Sequence, residues 1–293
     1  MDNALKQFIE LNIPAIEKEM YQLVEKIQAP EHLKESMLYS LKAGGKRIRP
    51  LFVAAVCEMY EQPLAPSYVV GSAVEMIHTY SLIHDDLPCM DDDDLRRGKP
   101  TNHVVYGEAL ATLAGDALNT LAFGILTRLD IAADKRIELV ELLSVAAGAE
   151  GMVGGQILDM DGEQRLLNLQ ELETVHVNKT GALLRFSIES GAVLANAPEK
   201  ERRALVEYAH HIGLAFQIQD DILDIEGTSE QLGKTAGKDV ASDKSTYPAL
   251  LTLEGAKKKL VDHYEQALQA LEMIETNTAL LEQLAQYIVK RTK

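Results

Sequence analysis

Apolar residues recur at helical spacing along nearly the whole chain, and no run alternates apolar with polar as a half-buried strand would. Ile9, Ile13, Ile16, Met20, Leu23 and Ile27 near the start each fall three or four residues apart, as do Leu260, Tyr264, Leu268 and Leu271 near the end. That spacing lines one face of an α-helix. Breaks are sparse: Pro30, Gly44-Gly45, Pro63 to Pro66, Gly98 to Pro100, Gly151 to Gly155 and Gly227 to Gly237. They divide the chain into roughly ten to thirteen helices with no long linker. The expectation is an all-α fold, a single domain over residues 1–293. Leu110 to Thr127 and Leu139 to Ile157 are apolar on most faces, so both are expected at the centre of the bundle.

Charge and cysteine usage narrow the function classes. Lys and Arg number 29 against 45 Asp and Glu, a net charge of −16, which repels nucleic acid and anionic lipid alike. No nucleic-acid partner is expected. Only Cys57 and Cys89 occur, without C-x-x-C spacing, which argues against a disulfide scaffold or thiolate zinc site and fits a reducing compartment. Apolar runs are cut by Glu75, His78 or Glu150 before they reach about 18 residues, and Met1 to Glu10 lacks a basic region followed by an apolar one. A soluble, cytoplasmic protein with no membrane insertion is expected.

Two groups of carboxylates stand out against this apolar background, since burying a charge costs several kcal/mol unless it is paired or metal-bound. The first runs from His84 through Asp85-Asp86-Leu87-Pro88-Cys89-Met90 to Asp91-Asp92-Asp93-Asp94. In a regular helix, residues six apart sit about 120° off a common face. Pro88 removes an amide donor and clashes with the carbonyl of His84, so a local bulge is expected to bring Asp85 and Asp91 to one side. The second group is Gln219-Asp220-Asp221-Ile222-Leu223-Asp224, where Asp220 and Asp224 share a helix face and repel. A magnesium ion removes that repulsion by taking one or two carboxylates and filling its octahedron with water and phosphate oxygens. Either group alone reads equally as a solvated loop or a charged helix end; the two together do not. Neither has EF-hand spacing, and zinc lacks its usual ligands.

Basic residues adjoin both groups. Gly44-Gly45-Lys46-Arg47-Ile48-Arg49-Pro50 reads as a helix end, a basic turn and a new helix, where free amides and cations suit an anion. Arg96-Arg97-Gly98-Lys99-Pro100 follows the first group, and guanidinium suits bidentate phosphate contact. Lys179-Thr180-Gly181 interrupts a helical segment, Gln217 sits one turn before Asp220, and Lys234 and Lys244 lie beyond. His78 lies two turns before Asp85, although a lone histidine of this kind is more often a core residue. Gln156 and Asp159 are candidate polar supports, and His210 and His211 read as structural.

In this order, GGKRIRP (Gly44 to Pro50), HDDLPCMDDDDLRRGKPT (His84 to Thr101), GGQILDM (Gly154 to Met160), KTG (Lys179 to Gly181) and FQIQDDILD (Phe216 to Asp224) closely resemble the trans-isoprenyl diphosphate synthase family, in particular bacterial members that make farnesyl diphosphate. The resemblance implies a homodimeric helical bundle around a deep central cavity, with the two aspartate motifs facing across its mouth. It implies magnesium, three ions with substrate bound and manganese as a substitute, held by Asp85, Asp91 and Asp220 with support from Asp86, Asp221 and Asp224. It also implies isopentenyl diphosphate on Lys46, Arg49, His78 and Arg97. The allylic diphosphate would lie on Arg96, Lys179, Lys234 and Lys244, with Thr180 and Gln217 at the reacting centre.

Product length should follow from what closes the cavity below the first motif. Tyr80 lies five residues before Asp85, about 7.5 Å along a helix, and a ring there would stop a growing chain. Together with Ser81 and the lengthened first motif, it resembles the pattern of bacterial members that make farnesyl diphosphate, so that product is expected. The rivals are a geranylgeranyl or geranyl diphosphate synthase, then a terpene cyclase, which the paired aspartate motifs and GGKRIRP oppose. A non-catalytic relative would be expected to have lost charged motif residues, and none is missing here.

Overall fold

Three helices among the described residues begin where a short polar side chain satisfies a free amide. Asp2 accepts from the Ala4 amide at 2.9 Å, opening α1 (Asn3–Glu25). Asn168 and Glu171 form a reciprocal capping box at the start of α9 (Leu169–His176), and Thr246 caps α12 (Tyr247–Leu271). Each such cap contributes about 1 kcal/mol. The computed structural model describes residues 2–163, 165–226 and 245–291. Lys234 and Lys244 lie outside them.

The other helices among the described residues are α2 (Glu31–Leu41), α3 (Ile48–Met59), α4 (Leu64–Asp85), α5 (Asn102–Tyr106), α6 (Glu108–Leu126), α7 (Ala133–Ala147) and α8 (Met152–Gly162). A π-helical turn, Val177–Gly181, joins α9 to α10 (Ala182–Ala195), followed by α11 (Glu199–Glu226) and α13 (Ala279–Lys290). The all-α expectation holds. One small departure is an antiparallel hairpin of two-residue strands, β1 (Leu95–Arg96) and β2 (Lys99–Pro100). Its central residues, Arg97 and Gly98, have φ of 54° and 73°, the positive values a tight primed turn requires.

The helices that occupy the centre are not those the apolar pattern favours. Every residue of α10 except Ala182 and Arg185 is buried, and every residue of α3 except Arg49 and Glu58. These two helices pack together and face both halves of the core. The expectation for Leu110 to Thr127 and Leu139 to Ile157 is corrected. On α6, Leu113 is 57% exposed, and α7 and α8 leave Val145, Val153 and Ile157 exposed. Among the described residues, α6 alone has the length and hydropathy to cross a membrane, yet its other face packs on α4 and α2.

Candidate active site

The first aspartate group folds differently from the bulge expected at Pro88. α4 ends at Asp85, the chain turns back, and the Asp91 amide donates to the Asp85 carbonyl at 2.8 Å. Pro88, which has no amide to lend a longer helix, stands exposed in that turn. The outcome is still that Asp85 and Asp91 are neighbours. Burial pushes the Asp85 carboxyl up to about 6, with the charges of Asp91 and Asp86 adding to the effect and Lys179 opposing it. Asp86 is buried and bound by Arg96, whose Nε stands 2.6 Å from its Oδ1.

GGKRIRP builds the basic side of the site in two layers. Arg47, at φ 52° before α3, is fully enclosed: it donates to Glu75 at 2.7 Å, Glu17 at 3.0 Å and the Leu41 carbonyl at 2.6 Å. It therefore ties α1, α2, α3 and α4 together and is spent on structure. Arg49 differs: its buried Nε has no hydrogen-bond partner among the described residues. Burial pushes its guanidinium down, opposed by Glu75, helped by Arg97 and opposed again by Asp220. Arg49 thus sits within electrostatic reach of Asp220 in the second aspartate motif and of Arg97. Gly44 and Gly45, at φ 95° and 140°, let Arg97 lie on their backbone. The Arg97 Nη1 donates to the Gly44 carbonyl, and a Cβ at Gly45 would stand 2.8 Å from that guanidinium. Lys46 is exposed beside them. His78 is held neutral, well below its ordinary pKa, first by burial and then by Arg49, Arg97, Arg96 and Arg47. Four guanidiniums thus bear on one histidine, a local concentration of positive charge inside a chain of strongly negative net charge.

The third component is the π turn. Its extra residue per turn presents Lys179 and Thr180, and π turns recur at functional sites. Gly155 of the GGQILDM segment allows α8 to lie on this turn, since a Cβ there would stand 2.6 Å from the Lys179 Cα. Lys179 donates to Asp159 of the same segment at 2.7 Å, so Asp159 positions it. Gln156 is half-buried in the same helix.

On α11 the three aspartates diverge. Asp220 is the accessible one, its side chain 45% exposed, and pairs with Arg291 at 2.8 Å. Asp221 is buried and accepts the Tyr247 amide at 2.9 Å, which anchors the start of α12 to α11. Asp224 is buried a turn below Asp220. Gln217 approaches His176, its Nε2 standing 3.5 Å from Nδ1, and the His176 ring stacks on Tyr247 with centroids 5.6 Å apart.

Arg291 and His176 escaped the reading of the sequence. Arg291 comes from the far end of the chain, stacks on Phe216 at 3.9 Å, donates to the Phe216 carbonyl at 2.8 Å and accepts at its own carbonyl from Gln219 at 2.9 Å. Nothing local signals it. Tyr80 is buried on α4, its phenol pushed up by burial and then by the charge of Asp85. Ser81 turns its hydroxyl back to the His78 carbonyl at 2.9 Å, satisfied within the helix.

The donor set fits magnesium. Asp85 and Asp91 beside each other, and an accessible Asp220, are hard oxygen donors that coordinate one or two at a time and leave positions for phosphate. Among the described residues no three His, Cys, Asp or Glu side chains group around one point as a metal site.

Comparison with known proteins agrees with this geometry. The chain is 52% identical over 294 residues to the farnesyl diphosphate synthase of Bacillus subtilis (strain 168), covering 99% of both chains. Its structure superposes on the crystal structure of an FPP/GFPP synthase from Zymomonas mobilis with a TM-score of 0.86, 39% identity and coverage of 99% of this chain and 100% of that one. A geranyltransferase from Legionella pneumophila gives a TM-score of 0.87 at 33% identity, with 99% and 98% covered. A family model, polyprenyl synthetase, matches residues 30–284, and the chain belongs to that family.

Proposed function

We propose that this chain is a short-chain prenyltransferase, acting as a dimethylallyltranstransferase and then a geranyltranstransferase. It condenses isopentenyl diphosphate with dimethylallyl and then geranyl diphosphate, giving (2E,6E)-farnesyl diphosphate and diphosphate. The observation that carries the reading is the placement of Asp85 beside Asp91 within reach of Lys179, while Arg49 feels both Arg97 and Asp220. Two anionic groups need two cationic holders and an intervening negative metal cradle, and this arrangement supplies them. The near-full-length likeness to a farnesyl diphosphate synthase favours the farnesyl product.

In this reading Arg49, Arg97, Lys46 and neutral His78 hold isopentenyl diphosphate. Arg96 and Lys179 hold the allylic diphosphate, joined by Lys234 and Lys244 from outside the described residues. Asp85, Asp91 and Asp220 hold magnesium, three ions with substrate and replaceable by manganese, while Asp86, Asp221 and Asp224 support them. When bound, the metal neutralises charge developing on the departing diphosphate. The allylic carbon–oxygen bond breaks, the alkene of isopentenyl diphosphate forms the new carbon–carbon bond, and the proton lost goes to the departing diphosphate. Lys179 adds fixed positive charge where the leaving group forms, Thr180 and Gln217 border the reacting carbons, and apolar walls keep water from the cation. Tyr80, with Ser81 beside it, closes the path of the growing chain.

Asp85→Ala or Asp220→Ala should cut turnover by about 10²-fold or more while the far-ultraviolet helical signal stays unchanged. Near-normal turnover in either variant would refute the metal roles. The exposed apolar face of α6 to α8 is best used by a second copy of the chain, so sedimentation should give twice the chain mass. The two free thiols, one of them exposed, favour a reducing cytoplasmic location, and the whole chain is read as one domain, 1–293.

A further inference from the structure

α4 and α6 pack along one another, and beside Tyr80 their contact holds an arrangement that the reaction above does not use. His84 lies one turn beyond Tyr80 on the same helix face. The two rings meet edge to face, with centroids 5.6 Å apart and planes at 76°, an attractive geometry for aromatic groups. The other side of the imidazole rests on Gly115 of α6. A Cβ placed on Gly115 would stand 2.6 Å from His84 Cδ2 and closer still to Nε2, so only glycine leaves room for the ring. His84 Nε2 lies 3.0 Å from the Thr112 carbonyl oxygen. A carbonyl only accepts, so Nε2 carries the proton and donates it. The Asp116 carboxylate, 3.9 Å from the same nitrogen, stabilises that orientation. The ring is therefore confined by a glycine seat, a fixed carbonyl and the Tyr80 ring.

We infer that Gly115 and His84 are positioning residues that set product length by holding the Tyr80 ring across the path of the growing chain. The inference rests on the reading of Tyr80 as the stop. A helical tyrosine has two accessible χ1 wells, because the third drives the ring into the preceding turn. Tyr80 blocks the chain only from one of them. Selection falls to ring contacts, and His84 supplies the one with defined geometry. An edge-to-face contact of this class biases a two-well equilibrium by about two- to tenfold. Losing it lets longer products form as a fraction of the total while farnesyl diphosphate remains present. Gly115 acts one step further out, since a methyl group there must displace the imidazole.

The test is the geranylgeranyl-to-farnesyl ratio of products made from isopentenyl and dimethylallyl diphosphates with magnesium, at matched extents of conversion. The proteins compared are the natural chain, Tyr80→Ala, His84→Ala, Gly115→Ala, the double variant His84→Ala/Gly115→Ala and the double variant Tyr80→Ala/His84→Ala. A ratio at matched conversion is insensitive to a general loss of rate, which His84→Ala can cause through its neighbour Asp85. His84→Ala and Gly115→Ala should each raise the ratio by about two- to tenfold. Adding Gly115→Ala to His84→Ala should change nothing more, because the methyl then fills vacated space, and adding His84→Ala to Tyr80→Ala should also change nothing. If Gly115→Ala does not fold, the His84→Ala pair decides alone. An unchanged ratio in His84→Ala, with lengthening in Tyr80→Ala, overturns the inference and leaves the Tyr80 reading standing. An unchanged ratio in Tyr80→Ala removes the reading beneath it, and lengthening by His84→Ala in the Tyr80→Ala background shows that His84 does not act through Tyr80.

Discussion

Arg47 shows how far one residue can reach in this fold. Its guanidinium is enclosed and shared between Glu17 and Glu75, so removing it leaves the nearly inaccessible Glu75 carboxylate without its cation. Arg47→Met should therefore cost about 3–5 kcal/mol in urea unfolding, and Arg47→Met with Glu75→Met should recover most of that. Additive losses in the double variant would contradict the pairing. A trace of this pair is visible in the sequence, where Glu75 interrupts an otherwise apolar stretch and so requires a partner. Which cation answers it is not visible, since Arg47 stands among Lys46 and Arg49 with equal local claims. Asp85, Asp91 and Asp220 are legible because carboxylates clustered in apolar surroundings demand compensation. Arg291 is not, because the chain between it and Asp220 includes the end of α11, all of α12 and all of α13.

At the scale of elements, α11 and α12 meet through a pair of histidines that the apolar periodicity does not reveal. His211 Nδ1 and His263 Nδ1 are 3.0 Å apart, and His211 Nε2 is 3.1 Å from Glu207. Burial lowers both pKa values, that of His263 to about 4, with Lys259 and His210 adding to the effect and Glu207 opposing it at His211. A depressed histidine binds its proton more readily in the unfolded chain. The contribution to stability is thus complete above the unfolded value of about 6.5 and is lost as pH falls from there toward 4. Melting temperature should fall more steeply between pH 7 and pH 5 in the natural protein than in His263→Gln. Equal slopes would show that the pair is not neutral in the fold. Other elements were legible from their punctuation: the Gly-rich segment opens α8, and Lys179-Thr180-Gly181 does interrupt a helix, as a π turn. Pro88 misled because it can end a helix as well as bulge one, and here α4 simply stops at Asp85. α6 misled because an apolar circumference does not say whether the same chain covers it.

Over the whole molecule, a net charge of −16 coexists with a site in which Arg47, Arg49, Arg96 and Arg97 all bear on His78. The all-α class follows from periodicity that persists across the chain, and the order of the helices from its breaks. Which helices are central does not follow, because α3 and α10 owe their burial to packing against each other. The division of labour between structural and chemical charges is likewise a property of the folded chain. In the proposed reaction, this division would let an acidic helical bundle hold two diphosphates around magnesium and join their prenyl groups. Incubating the purified protein with isopentenyl and dimethylallyl diphosphates, with magnesium or with a chelator, and identifying the dephosphorylated alcohols by chromatography and mass tests it most directly. Farnesol formed only with magnesium is the expected result, whereas no condensation under either condition would contradict it.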